Sequence, residues 1–134
     1  MSETQVTVVI TRVQDGEVSE DKYKGRFREI DGRLHVTFTE QQEDGSTVSH
    51  LLKASADGME WIRSGAVKNK ATFKAGECLP FLFATPHGDI KLDLNTHEYS
   101  YTKKDTHTIS VSYTISQGDC PLSEYKTEIV IFTD

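Results

Sequence analysis

Few residues of this chain are placed to do chemistry, and the clearest is Arg63. It follows Met59 and Trp61 at alternate positions, so a strand here lines up two large apolar side chains and a guanidinium on one face. An arginine at the end of such a row can receive a carboxylate in a bidentate pair. It can equally stack on Trp61 and hydrogen-bond main-chain carbonyls as a structural clasp. The clasp is the preferred expectation and the ligand anchor its alternative. Tyr99, Tyr101 and Tyr113 carry the same ambiguity, as hydroxyl handles for a ligand or as girdle residues at a rim. Trp61, Arg63, Tyr99 and Tyr113 are therefore the expected interior or ligand-contacting set.

Other chemistries lack their residues. Among His35, His50, His87, His97 and His107 no two stand at i, i+2 or i, i+4, and none adjoins a cysteine. No metal site is expected, and the histidines read as surface residues. Cys78 and Cys120 lie 42 positions apart without a CxxC spacing, which predicts free thiols that pack rather than react. No GxSxG, P-loop or GxGxxG occurs. The carboxylates Asp15, Glu17, Glu20 and Asp21, and again Glu40, Glu43 and Asp44, gather where turns are expected. They read as solvated acids, not as a pair facing each other across a cleft. The sequence points to no enzyme and to no cofactor.

Fifteen basic against 21 acidic residues give a net charge of −6. That field opposes phosphate backbones, and Lys68, Lys70 and Lys74, near Arg63, read as a solvated face. Nucleic acid is not an expected partner. The apolar runs Val6–Ile10 and Leu79–Ala84 fall far short of the ~20 residues of a membrane helix. The opening MSETQ carries neither a basic stretch nor an apolar one, so the expectation is a soluble cytoplasmic protein.

The elements that must position Arg63 show in the punctuation. Asp-Gly occurs at Asp15-Gly16, Asp31-Gly32, Asp44-Gly45 and Asp57-Gly58. This pair favours the positive φ angles of type I′ hairpin turns. Between the turns, period-two alternation marks strands: Val6, Val8 and Ile10; Tyr23, Gly25 and Phe27; Leu34, Val36 and Phe38; Met59, Trp61 and Arg63. Ile90, Leu92 and Leu94 follow, then Ile109, Val111, Tyr113 and Ile115, then Ile129 and Ile131. STVSHLLKAS has helix-compatible spacing, but turns on both sides at strand distance predict a strand. Pro80 is placed at a strand start, Pro86 in a turn and Pro121 after a loop. Eight to ten strands in sequential hairpins must dispose of their edges, and closure does so. The expected architecture is a single all-β domain over residues 1–134, a closed antiparallel meander barrel. An immunoglobulin-like sandwich is the alternative, but its Cys…Trp…Cys pattern is missing.

Met59-Glu60-Trp61-Ile62-Arg63-Ser64-Gly65-Ala66-Val67-Lys68, followed by Phe73, Gly76 and Thr85-Pro86-His87-Gly88, resembles the YwiB-like (DUF1934) family of bacterial proteins. The resemblance implies a calycin-like barrel, similar in architecture to lipocalins and fatty-acid-binding proteins, and implies no activity. Its motif residues here are Arg63, Ser64, Gly65, Phe73, Thr85, Pro86 and Gly88. The Gly-x-Trp motif of lipocalins is absent near the N-terminus. Two functional classes follow: a packed barrel that meets an unknown protein partner, or a binder of a small apolar, amphipathic or anionic ligand inside the barrel. Trp61, Phe27, Phe38, Phe81, Phe83 and Tyr113 are large enough to fill much of the interior, so cavity volume discriminates the two.

Both thiols should be reduced, and Cys78→Ser/Cys120→Ser should unfold in denaturant much as the wild type does. A loss above about 3 kcal/mol, reproduced by reducing the wild type, would instead reveal a disulfide.

Overall fold

The computed structural model describes residues 4–133, which form ten antiparallel strands in sequence. They are β1 (Thr4–Gln14), β2 (Glu17–Ile30), β3 (Arg33–Gln41), β4 (Thr47–Ser55), β5 (Gly58–Gly65), β6 (Asn69–Phe73), β7 (Cys78–Thr85), β8 (Gly88–Lys103), β9 (His107–Gln117) and β10 (Cys120–Thr133). Each pairs with the next, and β10 pairs with β1 from Val6↔Thr133 to Gln14↔Tyr125, so the sheet closes into a barrel. Met1, Ser2 and Glu3 of the opening segment lie outside the described residues. Among those described, no helix is long and apolar enough to cross a membrane.

Alternation decides what goes inside. Val6, Val8 and Ile10 of β1, Leu34, Val36 and Phe38 of β3, and Met59 and Trp61 of β5 are buried, as are Ile109, Val111, Tyr113 and Ile115 of β9. Ile129 and Ile131 of β10 complete one continuous core. STVSHLLKAS belongs to β4, with Val48, His50, Leu52 and Ala54 facing in.

Two of the four Asp-Gly pairs make the expected turn: Asp15 and Gly16, and Asp31 and Gly32, all have positive φ. Asp44-Gly45 instead sits in a longer loop, where the Asp44 carboxylate accepts the Ser46 N–H at 2.9 Å. At the fourth pair the turn is Ala56-Asp57, and Gly58 is already in β5, paired with Ser55. Pro121 lies inside β10, not after a loop, where the register slips between Pro121 and Ser123; a residue without an N–H suits a bulge. A second bulge between Thr96 and Glu98 reverses the phase of β8, so Tyr99 and Tyr101 pack against the core that Leu94 and Thr96 also face.

One seam of the barrel is thin. β6 and β7 share a single registered pair, Asn69↔Phe83. The loop between them docks on β8 instead: the Gly76 N–H donates to Thr96 O, and the Thr96 N–H to Glu77 O.

At the end of the barrel holding the β4–β5 turn, the backbone of Gly58 is pressed against the Phe73 carbonyl, where a Cβ would collide. Gly→Ala in an extended strand ordinarily stabilises by about 0.4–1 kcal/mol. Gly58→Ala should instead lose about 1–3 kcal/mol in a urea titration, because β5 and β6 must separate. A variant as stable as the wild type would disprove this tight approach.

Candidate functional site

In an up-and-down barrel the odd strands end, and the even strands begin, at the same mouth. The inward rows that end there do not end on apolar residues. Val6-Val8-Ile10 runs on to Arg12, Leu34-Val36-Phe38 to Glu40, and Met59-Trp61 to Arg63, while β4 brings His50 and β6 brings Asn69. The mouth therefore gathers two guanidiniums, a carboxylate, an imidazole and an amide around Trp61.

Their contacts form an ordered chain. Trp61 Nε1–H donates to His50 Nδ1 at 3.0 Å. Indole can only donate, so His50 carries its proton on Nε2, which donates to Glu40 Oε1 at 2.9 Å. The imidazole lies flat on Phe38, with centroids 4.5 Å apart and planes 6° from parallel, and Phe38 stacks in turn on Tyr23. Burial holds the His50 pKa below its ordinary value and outweighs the pull of Glu40. Trp61, fixed by this bond, has the Arg63 guanidinium 4.7 Å from its ring centroid and that of Arg12 at 5.9 Å. Among the described residues neither guanidinium has a carboxylate within 4.0 Å. Burial first, and then the Arg12 charge, lower the Arg63 pKa. Arg12 Nε and Asn69 Nδ2 are buried without hydrogen-bond partners.

The Arg12–Trp61–Arg63 layer divides two cavities. A chamber of about 320 Å³ has Phe81, Phe83, Leu92, Leu94 and Ile115 as apolar wall, with Arg12, Arg63, Asn69, Tyr113 and Tyr125 supplying the polar groups. A crevice of about 220 Å³ on the other side is lined by Asp21, Tyr23, Glu40 and His50.

Two comparisons bear on kinship. The model of the domain of unknown function DUF1934 matches residues 4–129. The chain belongs to this family. The crystal structure of ywiB protein from Bacillus subtilis superposes with a TM-score of 0.86 at 23% identity, covering 98% of this chain and 93% of that one, and so shares the fold. No curated protein matches.

In this DUF1934 chain the residues singled out from sequence separate into four places. Trp61, Arg63 and Tyr113 meet at the chamber, where Tyr113 packs edge-on against Phe73, centroids 4.8 Å apart. Tyr99 lies near the opposite mouth, its hydroxyl bracing the β4–β5 turn at 2.7 Å from Ser55 O and 3.0 Å from Gly58 O; burial pushes its phenol up to about 12. Tyr101 bonds His107 Nδ1 at 2.8 Å near the same end. Ser64 and Gly65 end β5 on its exposed side, and Thr85, Pro86 and Gly88 shape the β7–β8 turn, where the Thr85 hydroxyl donates to Gly88 O. Of the clasp expected for Arg63, the indole contact is present, whereas no carbonyl hydrogen bond to it is found among the described residues.

Three expectations are corrected. His50 is buried, not a surface histidine, because it occupies an inward position of β4. Glu40 is not a free turn acid but the partner of His50. Cys78 and Cys120 are free thiols but exposed, so neither packs in the core. Arg63 is also separated from the lysines near it in sequence: it faces the chamber, whereas Lys70 lies outside, 3.1 Å from Glu60. Arg12, Glu40, His50 and Asn69 were missed as site residues, although the first two continue inward rows already legible in the alternation.

Because folding lowers the His50 pKa, the unfolded chain protonates first as pH falls. Stability contributed by His50 is complete above about pH 6.5, the ordinary value, and is lost as pH drops through the folded-state pKa. His35 and His107, also lowered first by burial, add to the same slope, so His50→Asn should remove only part of it. Imidazole NMR should find His50 as the Nε2–H tautomer at pH 7, with a midpoint below 6.5. A midpoint at or above that value would mean that Glu40 outweighs burial.

Proposed function

We propose that this protein is a cytoplasmic, calycin-like binder of a small amphipathic anion, whose charged head meets the Arg12–Trp61–Arg63 layer and whose apolar body fills the adjoining chamber. The observation that carries the reading is the pair of guanidiniums beside one buried tryptophan, with no carboxylate among the described residues that line the chamber. Two like charges held close together, half-buried and with no ion-pair partner among the described residues, weaken a fold. Such an arrangement is retained where it meets an anion, and guanidinium geometry suits a planar or tetrahedral oxyanion. A cavity of about 320 Å³ falls in the range of small-molecule sites. Two exposed free thiols fit a reducing compartment.

A second reading, docking of a protein partner on the rim, is favoured by Phe83, Ile90 and Leu122, which are 39%, 41% and 51% exposed. Phe83 and Leu122 also line the chamber and serve an amphipathic ligand as an apolar lip, so the half-buried arginines decide for the ligand.

Arg63→Met separates the anchor from the clasp. As an anchor, its removal should leave the ligand-free protein at least as stable in denaturant, and should weaken an anionic fluorescent probe such as anilinonaphthalene sulfonate by tenfold or more. A loss of about 1–3 kcal/mol with probe affinity unchanged would identify a clasp and refute the binding role.

A further inference from the structure

The polar groups at the chamber floor are matched to one kind of head group. Among the described residues, none that lines the chamber is acidic. Arg12 Nε and Asn69 Nδ2 are buried donors without acceptors, and Asn69 stands directly across from Arg63 in the β5–β6 ladder. Arg12 reaches the same indole from β1. Three side chains from three strands thus bring donors, and two of them bring full positive charges. Glu40 and Asp21 lie behind the layer, in the crevice, and Glu40 is engaged by His50.

A carboxylate would neutralise one guanidinium and leave the second uncompensated. A phosphate monoester carries about −1.5 to −2 charges at neutral pH and three acceptor oxygens. We infer that the chamber takes the phosphate of a monoester of an apolar alcohol, its oxygens received by Arg12, Arg63 and Asn69 and its chain lying along Phe81, Phe83 and Leu92. This assignment deepens the anion-binding reading and rests on it. The apolar wall distinguishes such a ligand from inorganic phosphate, which has nothing to set against it, and from a nucleotide, whose sugar and base would bring unpartnered polar groups there. The net charge of −6 does not oppose the assignment, because the cations are local and the low-dielectric walls concentrate their field.

Isothermal titration of the whole protein at constant pH and salt with octyl phosphate, octyl sulfate, octanoate, octanol and inorganic phosphate tests this without any variant. Octyl phosphate should bind at least tenfold more tightly than octyl sulfate or octanoate, and at least a hundredfold more tightly than inorganic phosphate. In a folded Arg12→Met variant the advantage of octyl phosphate over octyl sulfate should shrink at least threefold. Asn69→Leu should weaken both tetrahedral head groups more than octanoate. Octanoate equal to or tighter than octyl phosphate would overturn the phosphate assignment and leave the anion-binding reading standing. Inorganic phosphate binding as tightly as octyl phosphate would overturn the apolar body. Octanol matching octyl phosphate, or no binding by any of the five, would overturn this inference together with the reading beneath it.

Discussion

The pairing of the first strand with the last is the constraint on which the rest of the molecule depends. With β1 bonded to β10, the sheet has no outer edge except along the thin seam between β6 and β7, and its two faces become an inside and an outside. Every inward row must then end at one of two mouths. Because the strands alternate in direction, the ends of β1, β3 and β5 meet the starts of β4 and β6 at a single mouth. The concentration of polar groups around Trp61 is a consequence of this geometry: five strands each bring an inward polar residue toward this mouth.

The interior is graded. At mid-barrel, Val8, Val36, Leu52 and Ile129 are fully buried, with the buried Thr127 next to Ile129 along β10. Near the mouth opposite the arginines, polar groups are spent on structure, as when the Tyr99 hydroxyl ties β8 to the β4–β5 turn. Around Trp61 some are satisfied and others are not. His50 and Glu40 complete the hydrogen bond of the indole, which orients the ring that both guanidiniums approach. The guanidiniums themselves have no carboxylate within ion-pair distance among the described residues. A polar network half satisfied and half open in one layer is costly for a purely structural core, and this difference between the two mouths directs attention to the arginines.

The wall of the chamber is also where the barrel is least regular. Phe81 and Phe83 come from β7, which is joined to β6 by one registered pair, and Leu122 comes from the bulge that follows Pro121. Pro80, which offers no N–H, sits in the strand whose pairing with β6 is reduced. Strand irregularities that spoil a ladder thus coincide with the apolar side of the chamber, while the arginines stand on the fully paired strands β1 and β5.

Fold class was legible because its signals are local. Asp-Gly pairs and period-two alternation depend on neighbouring residues, and the inward placement of Met59, Trp61 and Arg63 followed from parity alone. Of the missed members, Arg12 and Glu40 continue apolar rows one step beyond the last hydrophobic residue, whereas His50 lies inside the β4 row, between Val48 and Leu52, in the segment with helix-compatible spacing. Other features had no local signal. The bulge after Thr96 swaps which face Tyr99 belongs to, and it lies where the β6–β7 loop bonds across to β8. That Trp61 donates to His50, that Glu40 is engaged rather than solvated, and that two arginines 51 residues apart share one indole are outcomes of closure. The sequence by itself determined strands, turns and the parity of each side chain, because these follow from backbone geometry over a few residues. The tertiary structure alone decided which row ends meet and which charges are left unpaired, because those depend on register and curvature summed around all ten strands.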